Sequence, residues 1–77
     1  MTILRFYKVI AENIRGYRKH YAISQEKLAE MTGISKENIS LIERAKTNPS
    51  LSVIYKISAA LKIEPYMLLT PDAHKKG

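Results

Sequence analysis

A single glycine interrupts the most regular apolar pattern of this chain, SQEKLAEMTGISKENISLIER (residues 24–44). Apolar residues recur at steps of three and four on both sides of Gly33, which is the spacing of an amphipathic helix. Glycine adopts positive φ at little cost and is common just past the last turn of a helix. The pattern therefore predicts two short helices joined by a tight turn at Gly33, and not one long helix.

The residues around Gly33 favour the same division. Ser24 and Ser35 are good N-cap residues, and each precedes a segment with helical spacing. A short turn containing glycine, with the small Ala29 where the two helices would cross, is typical of a helix-turn-helix. A corner between two helices of any small bundle needs similar residues, so spacing alone leaves both interpretations open. The apolar residues expected to fill the corner are Leu28, Ile34, Ile39 and Ile42.

The rest of the chain is also predicted to be helical, which gives an all-α fold class. Pro65 suits the first position of a short last helix. The domain is expected over residues 1–70 and a flexible C-terminal tail over residues 71–77. Helical spacing is carried by Phe6, Val9, Ile10, Ile14, Tyr17 and Tyr21 in the first segment and by Leu51, Ile54, Ile57 and Leu61 in the fourth. The five helices are predicted at about 3–20, 25–31, 36–44, 51–61 and 65–69.

The composition argues against an enzyme, a metal site or a bound cofactor. The chain has 77 residues and no cysteine, so it has neither a disulfide framework nor a thiolate metal site. His20 and His74 lie far apart, with no paired carboxylates beside them. Arg5 and Lys8 interrupt the apolar residues at the N-terminus, which predicts neither a signal peptide nor a membrane span. A cytoplasmic location is the default expectation for a chain without cysteine.

The formal net charge of +6 favours an anionic partner such as nucleic acid, with a solvated basic surface as the alternative. Residues 1–23 carry five basic residues against one acidic residue, and residues 47–77 carry four against two. Residues 24–46 are neutral, with four of each sign. Arg15 and Lys19 in the first segment are expected to supply long-range attraction only. The predicted helix-turn-helix is therefore not the basic part of the chain.

Three segments, ISQEKLAEMTGIS, NISLIERAKTNPSL and ISAALKI, resemble the helix-turn-helix family of phage repressors and Cro proteins. This family is often called the XRE family and includes the controller proteins of restriction-modification systems. The resemblance covers about residues 10–69. It implies a compact five-helix, lambda-repressor-like domain of a transcriptional regulator, which binds double-stranded operator DNA as a homodimer through its third helix, with no small-molecule ligand. The residues that match are Gln25, Leu28, Ala29, Gly33, Ile34, Ile39, Ile42, Glu43, Pro49 and Leu61.

Carried over to this chain, the base-reading positions of the family fall on Lys36 and Glu37, with Ser40 and Leu41 one turn further on. Lysine can donate to guanine, glutamate can accept from cytosine, and an apolar side chain can contact the thymine methyl group. For Glu37 the alternative is a carboxylate stabilised by the helix dipole. The resemblance implies a phosphate contact for Gln25, with an ordinary helix-start residue as the alternative. Asn38, Arg44, Lys46 and Asn48 lie on or just after the third helix and are expected to reach the DNA backbone on the far side of the groove, with a solvated loop as the alternative for Arg44 and Lys46.

The resemblance also pairs Arg18 of the first helix with Glu43 of the third as a partly buried, structural ion pair. At two positions the chain departs from the family pattern, because Ala45 and Lys62 stand where glycine is common. If these sites need positive φ, each substitution costs about 1 kcal/mol. The path of the loop after the third helix is then expected to differ from the family.

A homodimer is expected because a single domain of this size reads only a short site. Tyr55, Tyr66 and Met67 near the C-terminal end are the candidate dimer interface, with ordinary core packing as the alternative. The rival function is an antitoxin-like or antirepressor-like module, in which the helix-turn-helix docks a protein partner. The apolar Leu41, on a face expected to be exposed, gives that alternative some support.

Overall fold

The computed structural model describes residues 1–71, which contain five α-helices and no strand. This confirms the predicted all-α fold class. Of the predicted flexible tail, all residues after Pro71 lie outside the described part, so the proposed domain limits stay a prediction. Within residues 1–71, none of the helices combines the length and apolarity that crossing a bilayer requires. The helices are α1 (Ile3–His20), α2 (Gln25–Thr32), α3 (Lys36–Glu43), α4 (Leu51–Leu61) and α5 (Tyr66–Leu69).

A hydroxyl side chain caps the first turn of each of the four longer helices. Such a cap satisfies a backbone N–H group that has no partner inside the helix, and it typically contributes about 1 kcal/mol. The start of each helix is therefore set by a short-range contact that the sequence itself encodes. The capping pairs are Thr2 with the Arg5 amide, Ser24 with that of Lys27, Ser35 with that of Asn38 and Ser50 with that of Val53, at 3.0–3.2 Å.

Gly33 forms the turn between α2 and α3, as the sequence predicted. Its φ is +76°, and its N–H donates to the Ala29 carbonyl at 2.8 Å. A Cβ atom added at this position would meet no atom within 4 Å. The glycine is therefore needed for its backbone conformation and not for space.

The core is built from side chains of all five helices and the turn. α1 packs on α3, α4 and α5, whereas α2 packs on α3 and α4. Two predicted members of the apolar stripes are wrong, because Tyr21 is 49% exposed and Leu51 is 85% exposed. Both lie at a helix end, beyond the part of the helix that packs. The buried cluster consists of Ile10, Ile14, Tyr17, Leu28, Ile34, Ile39, Ile42, Ile54, Ile57, Leu61 and Leu68.

A buried asparagine ties α1 to the end of α5. The Asn13 side chain is fully buried, and its Nδ2 donates to the carbonyls of Leu68 at 2.9 Å and Thr70 at 2.8 Å. Carbonyl groups at the C-terminal end of a helix have no partner within the helix. Asn13 therefore satisfies a carbonyl of α5 and the carbonyl of the residue that follows it, a role that the helical spacing of α1 did not predict.

Three helices end in the same hydrogen-bonded motif, with a non-glycine residue in the left-handed conformation. After α1, α3 and α4, φ is +57° at Ala22, +56° at Ala45 and +58° at Lys62. In each case this residue and the next donate to carbonyls of the last turn at 2.9–3.1 Å, as in a Schellman motif, which usually has glycine at the left-handed position. The sites of Ala45 and Lys62, where glycine is common in the family, thus have positive φ. The positive φ at Ala22 was not predicted from the sequence.

We expect Ala45→Gly and Lys62→Gly each to raise the free energy of unfolding by about 0.5–1 kcal/mol. Glycine avoids the left-handed penalty of about 1–2 kcal/mol, and part of this gain is offset by its larger entropy in the unfolded chain. Urea denaturation followed by circular dichroism would measure the change. Gly33→Ala is the matched control and should change stability in the opposite direction. Unchanged or lower stability in both glycine variants would contradict the strain at these sites.

Candidate nucleic-acid interface

Six of the residues predicted to contact DNA line one open hollow of about 520 Å³ on the surface of α2 and α3. The hollow joins the start of α2 to the exposed face of α3. Asn38, Lys46 and Asn48, which were predicted to contact phosphates, are exposed but lie outside it. The lining residues are Gln25, Lys36, Glu37, Ser40, Leu41 and Arg44.

The two faces of α3 have opposite character. Ile39 and Ile42 are buried and hold the helix against the core. Helical periodicity then places the residues at positions 36, 37, 40, 41 and 44 on the opposite side. Leu41 is 38% exposed, so it places an apolar side chain on this face beside the polar ones. The exposed face therefore offers charged, hydroxyl and apolar groups together, which are the groups that read base edges in a major groove.

Lys36 is held only weakly in the free protein. Its Nζ lies 3.5 Å from Glu26 Oε1, and both side chains are more than half exposed. Exposed pairs of this kind contribute little to stability, so the ammonium group can exchange its carboxylate partner for another acceptor. Glu37 stands in the first turn of α3, where the helix dipole also favours a carboxylate.

Glu43 is the centre of a buried polar network behind this surface, although its side chain is only 2% exposed. Arg18 donates through Nε to Glu43 Oε2 at 2.7 Å and through Nη2 to Glu43 Oε1 at 2.9 Å. Arg18 Nη1 also donates to the Ile23 carbonyl at 3.0 Å. The ion pair implied by the sequence resemblance is thus present with bidentate geometry, the strongest arrangement for this pair of groups.

Gln25 belongs to the same network. Its Nε2 donates to Glu43 Oε1 at 3.1 Å, a contact that the sequence did not predict. This bond uses one amide hydrogen and leaves the second, together with the amide oxygen, available to a partner. Glu43 therefore fixes the orientation of a side chain that stands at the start of α2, where backbone N–H groups favour anions.

Arg15 has a structural role that corrects the expectation of long-range attraction only. Its Nη1 donates to the backbone carbonyl of Glu43 at the end of α3. The last carbonyls of a helix lack intrahelical partners, and a basic side chain can satisfy them. Two arginines of α1 therefore hold the end of α3, Arg15 through the backbone and Arg18 through the side chain of Glu43.

The candidate dimer residues differ in their surroundings. Tyr55 and Tyr66 are 66% and 64% exposed and are available to a partner. Met67 is half-buried and packs against the core, so the alternative of core packing holds for most of this side chain.

The described residues offer no arrangement typical of a metal centre. Across residues 1–71, histidine and carboxylate side chains form no group of three or more that could hold an ion. His20 is exposed and its ring contacts the edge of Tyr21, with 4.9 Å between the ring centroids. His74 lies outside the described residues.

Comparisons with known proteins point to one class. A family model described as helix-turn-helix matches residues 14–68. A hypothetical transcription factor of Neisseria meningitidis is 41% identical over 67 residues, which is 87% of this chain but only 63% of that protein. The control protein C.SmaI of Serratia marcescens is 38% identical over 68 residues, covering 88% of this chain and 81% of that protein.

Among solved structures, the DNA-binding domain of the P22 C2 repressor superposes on this chain with a TM-score of 0.78. The two are 38% identical, and the match covers 83% of this chain and 84% of that one. The chain thus spans less than two thirds of the Neisseria protein and most of the other two.

Proposed function

This chain belongs to the helix-turn-helix family of DNA-binding regulators, as its sequence resemblance predicted, and we propose that it binds a pseudo-palindromic operator as a homodimer. Its reported relatives are named as a transcription factor, a control protein and a repressor, none of them an enzyme. The observation that carries the proposal is that one hollow is lined both by the exposed face of α3 and by the start of α2. A cytoplasmic location forms part of the proposal.

In this proposal α3 enters the major groove with its exposed face toward the base edges. Lys36 donates to guanine O6 and N7, and Glu37 accepts from cytosine N4. Ser40 bonds to a base edge one turn further on, and Leu41 contacts a thymine methyl group. The exposed fraction of Leu41 supports this assignment, because contact with a methyl group would remove its apolar surface from water.

The DNA backbone is held on both sides of the groove. Gln25 and the first backbone N–H groups of α2 bind a phosphate on one side. Arg44 and Lys46 bind the backbone at the opposite end of α3, where the last turn closes on the left-handed Ala45. Asn38 and Asn48, both exposed, add hydrogen bonds to phosphate oxygens.

Two chains related by a two-fold axis would place their α3 helices, the recognition helices, about 34 Å apart, in successive major grooves. Tyr55 and Tyr66 offer the exposed aromatic surface for this contact. Met67 contributes only the part of its side chain that the core leaves accessible.

Selection of binding sites from random duplexes at defined salt tests the proposal. We expect enrichment of a site with two-fold symmetry, bound by two chains. Retention on a duplex column without any enriched sequence would contradict sequence-specific reading. A protein that is not retained at all would favour the alternative of a protein-docking module, such as an antitoxin or antirepressor, with Leu41 in its contact surface.

Lys36→Ala and Lys46→Ala are expected to affect DNA binding in different ways. Loss of Lys36 should remove about 1–3 kcal/mol of discrimination at one base position of each half-site. Loss of Lys46 should weaken all sites alike and lower the slope of log affinity against log salt by about 0.9 for each bound chain. Binding to a panel of single-base variants of the selected site, at several salt concentrations, would distinguish these effects. An equal loss of base preference in both variants would show that the roles are wrongly assigned.

A further inference from the structure

A second hollow of about 220 Å³ lies beside the first, and Arg44 lines both. Four of its lining residues are spaced by three or four positions along α1, so one stripe of this helix faces the end of α3. Apart from Arg44, none of these residues belongs to the helix-turn-helix of residues 24–44. The lining residues are Lys8, Ala11, Glu12 and Arg15 of α1 together with Arg44 and Ala45.

The second hollow is positively charged. It holds three basic side chains, Lys8, Arg15 and Arg44, against one carboxylate, Glu12. Within residues 1–71, no ion pair involves any of these four side chains. The bond from Arg15 Nη1 to the Glu43 carbonyl leaves the other N–H groups of its guanidinium available. Within residues 1–71, the three basic side chains of this hollow therefore form no salt bridge that would neutralise their charge.

We propose that the second hollow binds a backbone phosphate of DNA, with Lys8 and Arg44 as its charged contacts and Arg15 as a further donor. The inference rests on the proposed DNA binding and extends the DNA contact surface from the helix-turn-helix onto α1. A phosphate of the same duplex fits better than a free small anion because the hollow is open and shares Arg44 with the first hollow, which contains the proposed base-reading residues. The end of α3 points out of the major groove toward the backbone in this docking.

The charge distribution along the chain supports this extension. The helix-turn-helix segment is neutral, and the largest basic excess lies in residues 1–23. Arg18 is committed to Glu43, so it does not contribute to this surface. Lys8 and Arg15 carry part of the remaining positive charge of this segment, and both line the hollow at the end of α3.

Glu12 allows a second test of the proposal, because its replacement should change the affinity for DNA in the opposite direction to that of Lys8. Its carboxylate lines the same hollow as Lys8 and would repel a phosphate bound there. Removing the lysine charge should therefore weaken DNA binding, whereas removing the glutamate charge should strengthen it. A hollow that holds no phosphate would respond only to the change in net charge.

The experiment measures the affinity of the full chain for its selected duplex over a range of salt concentrations. Lys8→Gln and Glu12→Gln are compared with two charge-matched controls at exposed sites elsewhere, Lys56→Gln on α4 and Glu64→Gln before α5. We expect Lys8→Gln to lower the log-log salt slope by about 0.9 for each bound chain, so that the affinity loss of the dimer is about twelvefold greater at 50 mM than at 200 mM salt. Glu12→Gln should tighten binding severalfold at low salt, and neither change should alter base preference.

Two outcomes would overturn the phosphate site while leaving the operator proposal intact. One is a salt slope for Lys8→Gln equal to that of Lys56→Gln. The other is a Glu12→Gln affinity no higher than that of Glu64→Gln. Failure of the unmodified chain to bind any duplex would instead contradict the proposed function itself.

Discussion

Arg18→Met is expected to lower the free energy of unfolding by about 3–5 kcal/mol. The variant leaves the Glu43 carboxylate in a site where it is 2% exposed, without either of the two bonds from Arg18. Gln25 alone then donates to this side chain, and a neutral amide does not compensate a buried charge. Urea denaturation followed by circular dichroism would measure the loss. Lys19→Met, an exposed neighbour on the same helix, should change stability by less than about 0.5 kcal/mol.

The double variant Arg18→Met, Glu43→Met separates the cost of an unpaired charge from the contribution of the pair. Apolar replacement of both partners removes the buried charge, and such replacements are often neutral or stabilising. We therefore expect the double variant to recover most of the stability lost in Arg18→Met. A single variant as stable as the unmodified chain would show that Glu43 is satisfied without the arginine.

The same double variant also tests the positioning role of Glu43 toward Gln25. Without the carboxylate, the Gln25 amide loses its anchor at the start of α2. A folded double variant that binds DNA more weakly, with unchanged preference at the base-reading positions, would separate orientation of a phosphate contact from stability of the fold. Binding equal to that of the unmodified chain would contradict the positioning role.

The helices were predictable from sequence because their boundaries depend on short-range signals. Ser24, Ser35 and Ser50 cap the helices that follow them, and Gly33 has the positive φ that its position required. The exposed face of α3 was predictable for a related reason, since Ile39 and Ile42 fix which side of the helix is buried. These contacts lie within one or two turns of the residues concerned.

The features that were missed depend on contacts between distant parts of the chain. Asn13 bonds to carbonyls 55 and 57 positions away, and a lone asparagine on a helix carries no signal of that partner. Spacing also placed Leu51 in a buried stripe, because periodicity gives the face of a helix but not how far the packed body extends. The second hollow joins α1 to the end of α3, so no local pattern marks it.

The contrast between Leu51 and Leu68 leads to the second large expected effect. Leu68→Ala should lower the free energy of unfolding by about 2–5 kcal/mol, although α5 has only four residues. Its side chain is 0% exposed within the central cluster, and the Asn13 bonds to the Leu68 and Thr70 carbonyls hold α5 on α1. The deletion therefore leaves a cavity between elements that have little freedom to close it.

Leu51→Ala removes the same atoms from a side chain that is 85% exposed and should change stability by less than about 0.5 kcal/mol. Thermal and urea denaturation of the two variants beside the unmodified chain would measure both effects. If Leu68→Ala were as mild as Leu51→Ala, α5 would be detached from the cooperative unit. A loss of several kcal/mol would instead show that the C-terminal turn, including the surface near Tyr66, folds together with the helices that carry the DNA-contacting residues.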